Sequence, residues 1–195
     1  MGLSIHYSGS FNPNASLQAM IEEVEDIAKI YQWSYYVFER NFPKKSFDNP
    51  YNDEIYGIDV TPPGCETISL CFLSNGKMSS IVNLKFYCDS KNKEEQRYLY
   101  MLSTKTQYAG IEVHKIVIHL LKYLSGKYFS EFKLIDEGKY WETGDEKVLE
   151  KNFQRYNELL DTVGNALKNF PINAEETFEM YFERILKQIK LKKKK

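Results

Sequence analysis

Cysteine is scarce in this chain, and its few positions exclude two common small-protein scaffolds. The 195 residues contain three cysteines, Cys65, Cys71 and Cys88, an odd number with no Cys-x-x-Cys spacing. Neither a disulfide framework nor a zinc cage built on cysteine pairs is therefore indicated. Unpaired thiols suit a reducing compartment, so the sequence predicts a cytoplasmic protein.

Long hydrophobic runs and enzyme signatures are also missing. No apolar run approaches the roughly 20 residues that cross a bilayer, and the N-terminus lacks the basic start and apolar core of a signal peptide. We therefore expect no membrane span. The glycine-rich nucleotide loops, the His-Glu-x-x-His zinc motif and the Gly-x-Ser-x-Gly nucleophile motif do not occur either. The sequence accordingly predicts no cofactor.

Acidic and basic residues are nearly balanced overall but unevenly distributed. The chain has 26 Lys and Arg against 27 Asp and Glu, and six of the lysines fall in the last nine residues. Without that segment the chain carries 20 basic and 27 acidic residues. Because nucleic-acid binding needs a positive surface, we expect none except through the Lys-rich tail at residues 190–195. Such a tail is also typical of a solvated helix end.

Four segments place apolar residues at helical spacing. Gly126 is the predicted stop of the second helix, and Asn173 with Glu176 fits a capping box at the start of the fourth. The helices are predicted at residues 17–31, 110–124, 149–167 and 173–189.

Short segments of alternating apolar and polar residues occupy most of the rest. The dipeptide Asn75-Gly76 is the strongest hairpin signal, since both residues tolerate positive φ. Residues 41–53 are predicted to form a long loop. Strands are predicted at residues 3–11, 35–38, 56–60, 67–72, 82–86, 98–102 and 132–135.

This order of elements predicts an α+β fold. We expect a mostly antiparallel sheet of about six strands, arranged as a meander and covered on one face by two helices, with a C-terminal helical pair. The predicted domains are an α+β core at residues 1–144 and a helical extension at residues 145–195. The extension is expected to pack on the same domain and to end in the Lys-rich tail.

Residues 136–145 are the best candidate for a site. This stretch contains Asp136, Glu137, Glu142 and Asp145 beside two aromatic residues. Carboxylates in this arrangement bind a hard cation or act as a general acid and base. The candidate ligand-binding residues are Asp136, Glu137, Tyr140, Trp141, His6 and His114.

A structural explanation accounts for many of the same residues. Thr143 and Glu146 match a capping box at the start of the third helix, and acidic residues in a first turn suit the helix dipole. The spacing fits no EF-hand loop. Asp136 and Glu137, at the end of a strand, keep the most functional promise.

The histidines do not form a metal-binding helix face. His114 and His119 are five residues apart, and at about 3.6 residues per turn they point in different directions. The sequence leaves open whether one of them meets His6 or Asp136 in space.

These observations favour a non-catalytic binding module for a protein or a small polar ligand. A metal-assisted hydrolase that uses residues 136–145 is the alternative. The sequence identifies neither the ligand nor a metal set, and it leaves a homo-oligomer open.

Overall fold

The computed structural model describes residues 2–48, 50–169 and 176–192, with residues 166 and 188–192 described by their backbone alone. Helices and strands are mixed, and the paired strands are antiparallel, which confirms the broad α+β class. The elements are β1 (Ser4–Phe11), α1 (Leu17–Ile30), β2 (Ser34–Val37), β3 (Tyr56–Thr61), β4 (Ile68–Phe72), α2 (Ile81–Tyr87), α3 (Glu95–Tyr98), β5 (Leu102–Lys105), α4 (Gly110–Tyr128), β6 (Phe129–Asp136), α5 (Tyr140–Thr143), α6 (Glu146–Asn169) and α7 (Phe178–Lys192).

The strands form two three-stranded sheets, and the single six-stranded meander predicted from the sequence is wrong. Sheet A has the order β5-β1-β6, and sheet B has the order β2-β3-β4. Both partners of β1 come from the second half of the chain, whereas the three strands of sheet B pair among themselves. Local alternation does not encode such long-range choices, because it specifies a face but not a partner.

The predicted hairpin at Asn75-Gly76 forms, since the chain returns antiparallel to β4 with Met78 opposite Phe72, and the same turn also connects the two sheets. The N–H of Gly76 donates to the carbonyl of Leu73 at 2.8 Å, which closes the turn. Phe11 of β1 donates to the carbonyl of Gly76 at 2.7 Å, and Met78 donates to the carbonyl of Gly9 at 2.9 Å. This short segment therefore binds sheet B to the first strand of sheet A.

The strand predicted at residues 82–86 is instead the helix α2. Its N-cap is Ser80, whose hydroxyl accepts the N–H of Asn83 at 3.1 Å. Val82 and Phe86 are four residues apart and share the exposed face, while Leu84 points into the core. The alternation of apolar residues here therefore reflects the two faces of a helix and not those of a strand. The strand predicted at 98–102 is also mostly wrong, since β5 begins only at its last residue.

Helices cover both sheets. On sheet B, α1 packs against β3, while on sheet A, α4 packs against β6, and the two helices touch each other. The opposite face of sheet B is also covered near β4, by a cluster of Ile55, Cys71, Leu73, Leu84 and Leu99. All five residues of β4 are consequently buried. Alternation along β4 predicts that one of its faces is polar and exposed, but both faces lie in the interior of the protein.

Two predicted helix boundaries need correction. Helix α4 continues past Gly126 to Tyr128 and leads directly into β6. Helix α6 is capped by Asp145, whose Oδ1 accepts the N–H of Lys147 at 2.8 Å. The hydroxyl of Thr143 accepts the N–H of Asp145 at 3.1 Å and does not cap the helix.

The chain separates into two compact units, Gly2–Phe153 and Gln154–Lys195. The predicted boundary at 144/145 stays a prediction. In the second unit, Arg184 donates to Glu176 at 2.7 Å, and Tyr181 and Ile185 are buried. The predicted cap Asn173 and the side chains of the tail at residues 190–195 lie outside the described residues. Among the residues described, no helix is both long and apolar enough to cross a membrane.

Candidate functional site

The acidic stretch chosen from the sequence begins with a fully buried carboxylate. Asp136 is the last residue of β6 and has no exposed surface. Its Oδ1 accepts the N–H of Gly138 at 2.7 Å, and its Oδ2 accepts the N–H groups of Tyr140 and Trp141 at 2.7 and 3.0 Å. One side chain thus holds the turn after β6 and the first turn of α5.

His114 meets Asp136 inside the protein. Its Nε2 lies 3.1 Å from Oδ1 of Asp136, an ion-pair distance without the alignment of a hydrogen bond. Its Nδ1 lies 2.7 Å from the hydroxyl of Thr106. A hydroxyl, an imidazole and a carboxylate in a row resemble a hydrolase triad. All three residues have no exposed surface, so a substrate cannot reach them in this conformation.

The environment of Asp136 favours its ionised form. Burial acts to raise the pKa of this carboxyl, but the His114 ring and the N–H donors of Trp141 and Gly138 outweigh it and hold the pKa below its usual value. A carboxylate offers about four lone-pair sites. Three N–H donors occupy three of them, and the His114 ring lies against Oδ1 at 3.1 Å, so the surroundings of this carboxylate are filled by the fold itself.

The other candidate residues of the acidic stretch also have partners within the fold. Glu137 accepts the N–H of Ser4 at 2.8 Å through Oε2, and its Oε1 lies 3.6 Å from Nε2 of His6. The Trp141 ring contacts Phe132 edge-on, with the ring centroids 5.9 Å apart. These contacts fix the loop to sheet A.

Tyr140 contacts the second histidine of α4. Its hydroxyl lies 3.4 Å from Nε2 of His119. His114 is buried and His119 is exposed, so the expectation that they point in different directions is confirmed.

The carboxylates predicted as metal ligands do not converge. Glu142 pairs with Lys139 at 3.6 Å on the surface, and Asp145 caps α6. In the described part of the chain, no group of three or more His, Cys, Asp and Glu side chains is arranged to hold a metal ion. Ligand binding by residues 136–145 stays a prediction.

A cleft that the sequence did not reveal lies elsewhere in the first unit. Its volume is about 470 Å³, within the range of roughly 300–1,000 Å³ usual for small-molecule sites. Five separate chain segments contribute to it. The lining residues are Tyr7, Asp59, Glu66, Thr67, Ser69, Ser80, Ile81, Val82, Asn83, Met101, Leu102 and Ser103.

The cleft lies on the same side of sheet B as α2 and α3. The cluster around Leu84 and Leu99 covers this face beside Cys71. Two residues further along the same face, Asp59 of β3 pairs with Ser69 of β4, and these two residues line the cleft. Residues that pair across neighbouring antiparallel strands share a face, so Tyr36, which pairs with Asp59 from β2, lies on this face too.

Asp59 has the least satisfied carboxylate of the cleft. Its Oδ1 accepts the hydroxyl of Ser69 at 2.6 Å and the thiol of Cys71 at 3.4 Å. Its Oδ2 has no hydrogen-bond partner among the residues described, and no Lys, Arg or His in that set lies within ion-pair distance. Burial raises the pKa of Asp59, and the two donors only partly offset this effect.

Two other polar side chains that line the cleft, Tyr7 and Glu66, are tied into the fold. The Tyr7 hydroxyl donates to the carbonyl of Ser69 at 3.1 Å. Glu66 accepts the N–H of Lys105 at 3.0 Å and lies 3.6 Å from Nζ of the same residue. The lining itself contains two acidic residues and no basic one. Of these two acidic residues, Asp59 is therefore the one with unused capacity for a ligand.

One signal in the sequence could have pointed to Asp59. It is the only charged residue of β3 and stands between Ile58 and Val60, which are fully buried. A charged residue inside an otherwise apolar strand needs either a partner or a function. The cleft itself was not predictable in this way, since its other walls come from distant segments.

A smaller cleft of about 180 Å³ lies near the Asn75-Gly76 turn. Its charged lining residues are Lys77, Glu131 and Lys133, so it presents both signs of charge. Nothing in its lining is buried, charged and unpaired. We therefore regard the larger cleft as the candidate site.

Comparison of the chain with known protein families, with curated proteins and with solved structures gave no match. Within the chain itself, the cleft at Asp59 combines volume, a partly exposed carboxylate and apolar walls.

Proposed function

We propose that this protein binds a small molecule in the cleft at Asp59 and acts as a non-catalytic binding module. The observation that carries the proposal is a partly buried carboxylate in a cleft of about 470 Å³, one of whose oxygens has no partner among the described residues. Small-molecule sites typically combine apolar walls with a few polar groups that orient the ligand.

The walls of the cleft support this proposal. Ile81, Val82 and Met101 line it and are each about half exposed. Burying such side chains against a ligand gains roughly 25 cal/mol per Å² of apolar surface. The hydroxyl of Ser80, which accepts the N–H of Asn83, keeps its own hydrogen as a donor for a ligand.

A screen of small metabolites by ligand-observed NMR tests the proposal. Met101→Trp places a large ring at the mouth of the cleft, and Gln18→Trp places the same ring on the exposed surface of α1 as a control. We expect compounds that bind the wild type and the control but not Met101→Trp. Hits that bind all three proteins equally, or a screen without hits, would contradict the proposal.

A second candidate is binding of another protein through the surface beside the cleft. Val82 and Phe86 form an exposed stripe on α2, and Phe86 is 70% exposed. Tyr98 and Met101 lie next to them, since the side-chain amide of Asn83 donates to both their carbonyls at 2.9 Å. Adjoining exposed apolar side chains mark interaction surfaces.

Self-association gives the simplest test of this second candidate. Analytical ultracentrifugation of the wild type and of Phe86→Ser would measure it directly. A dimer that Phe86→Ser converts to a monomer would support a protein interface. A wild-type monomer at all concentrations would remove self-association as the role of this surface.

A further inference from the structure

The charge of the cleft defines the class of ligand that fits it. We propose that the cleft selects a small organic cation, a primary ammonium group attached to an apolar or aromatic body. This inference rests on the proposed function and names the ligand class of the same site.

The first argument is the charge balance around the carboxylate. Asp59 and Glu66 are the charged lining residues, and both are acidic. Glu66 has Lys105 as its neighbour at 3.6 Å, whereas Asp59 has no cation within ion-pair distance in the described part of the chain. An anionic ligand would face an unscreened carboxylate, and a cationic ligand would supply the missing partner.

The second argument is the hydrogen-bonding capacity that Asp59 has left. The hydroxyl of Ser69 and the thiol of Cys71 both donate to Oδ1. Oδ2 remains as an acceptor, and an ammonium group carries three donors and no acceptor. A charge-assisted hydrogen bond from such a donor is roughly twice as strong as a neutral one.

The third argument is the aromatic ring beside the carboxylate. Tyr36 pairs with Asp59 across β2 and β3 and is 64% exposed. Directly opposed side chains have Cβ atoms about 4.5–5.5 Å apart. The Tyr36 ring packs edge-on against Phe38, with the centroids 4.8 Å apart, and lies outside the lining of the cleft. It therefore offers an aromatic surface to a ligand body that extends past Asp59.

The fourth argument is the apolar wall on the other side. Ile81, Val82 and Met101 extend from the cleft to its rim. An inorganic cation would leave these side chains in water. An organic body attached to the ammonium group would cover them, which is why the ligand is expected to have two parts.

Three matched compounds test the proposal by isothermal titration calorimetry: 2-phenylethylamine, 2-phenylethanol and phenylacetate. They share one aromatic body and carry a positive, a neutral and a negative group. We expect the amine to bind the wild type at least about tenfold more tightly than the alcohol, and the acid to bind most weakly. Equal affinity for the amine and the alcohol would overturn the proposal.

Two variants test whether the preference for the amine depends on Asp59. Asp59→Asn keeps the size and an oxygen for Ser69, and it is expected to bind the amine no better than the alcohol. Glu66→Gln is the matched control, because this carboxylate already has Lys105 beside it, and we expect it to change the affinity by less than about threefold. Retained amine preference in Asp59→Asn would also overturn the proposal.

Failure of this inference is distinguishable from failure of the proposed function. If the alcohol or the acid binds as well as the amine, and Met101→Trp abolishes that binding, the cleft is a ligand site without cation selectivity. If none of the three compounds binds at about 10 mM, where a ligand with a Kd of 1 mM would be nearly saturating, the cation proposal is wrong. The metabolite screen then decides the wider proposal separately.

Discussion

At the scale of single residues, the fully buried Asp136 and the partly buried Asp59 are two carboxylates with opposite environments. Asp136 accepts three backbone N–H groups beside His114, and its pKa is lowered. Asp59 has one oxygen without a partner in the part of the chain that the structure describes, and burial raises its pKa. The first arrangement stabilises the fold, whereas the second costs stability, as is common at binding sites.

Asp136→Asn is expected to destabilise the protein by about 3 kcal/mol at neutral pH. The change removes the charge that three N–H groups and His114 stabilise, and hydrogen bonds to charged groups contribute about 1.5–3 kcal/mol each. Urea unfolding measures the loss. Asp145→Asn is the control, because this exposed cap keeps an acceptor, and a loss of similar size there would contradict the account.

The effect of Asp136 also has a predictable pH dependence. Because its folded pKa lies below the unfolded value, its stabilisation is fully present above about pH 4 and is lost as the pH falls through the folded pKa. The difference in unfolding free energy between wild type and Asp136→Asn should therefore shrink on acidification. A difference that stayed constant from neutral pH to about pH 2 would be inconsistent with an ionised Asp136.

Asp59→Asn is expected to change the stability at neutral pH in the opposite direction from Asp136→Asn. A folded pKa raised above the unfolded value means that the ionised side chain opposes folding, and this cost grows as the pH rises through the folded pKa. At neutral pH the variant should be as stable as the wild type or more stable by up to about 1 kcal/mol. Thermal unfolding at neutral and acidic pH checks this, and a large loss at neutral pH would contradict it.

At the scale of elements, helical periodicity was the most reliable guide. Helices α1 and α4 were predictable because each has a continuous apolar stripe that packs on a sheet. Helix α2 was not, because three apolar residues at alternate positions fit a short helix as well as a strand. Ser80, which caps this helix, was the signal that could have distinguished the two.

Gly126 provides a test of the corrected end of α4. The helix continues to Tyr128, and a Cβ added at Gly126 would meet nothing within 4 Å. Gly126→Ala should therefore stabilise the protein by about 0.5–1 kcal/mol. Denaturant unfolding measures the gain, and a loss of stability would indicate the C-terminal stop predicted from the sequence.

Gly138→Ala serves as the contrasting substitution. A Cβ there would lie 2.6 Å from Cδ1 of Leu149 and 2.9 Å from Nε2 of His114. Overpacking of this kind costs about 1–3 kcal/mol. The same unfolding assay should thus give opposite signs at the two glycines.

At the scale of the whole molecule, the sequence predicted the class of fold but not its assembly. The choice between one sheet and two depends on β1 pairing with β5 and β6, which are more than 90 residues away in the chain. The cleft depends on the same choice, since Tyr7 of β1 meets Ser69 of β4 only after both sheets form. The acidic stretch was conspicuous because its residues are adjacent in sequence, but adjacency alone does not create an open site.

The central claim is that the cleft at Asp59 is where this protein meets its ligand. Methyl NMR during titration with a hit from the metabolite screen tests it most directly, since Ile81, Val82 and Met101 carry methyl groups in the cleft. Ile30 and Ile135 are exposed controls on α1 and β6. We predict that the cleft methyl signals shift with saturation while the controls do not. Shifts confined to residues around Asp136, with the cleft signals unchanged, would contradict the account.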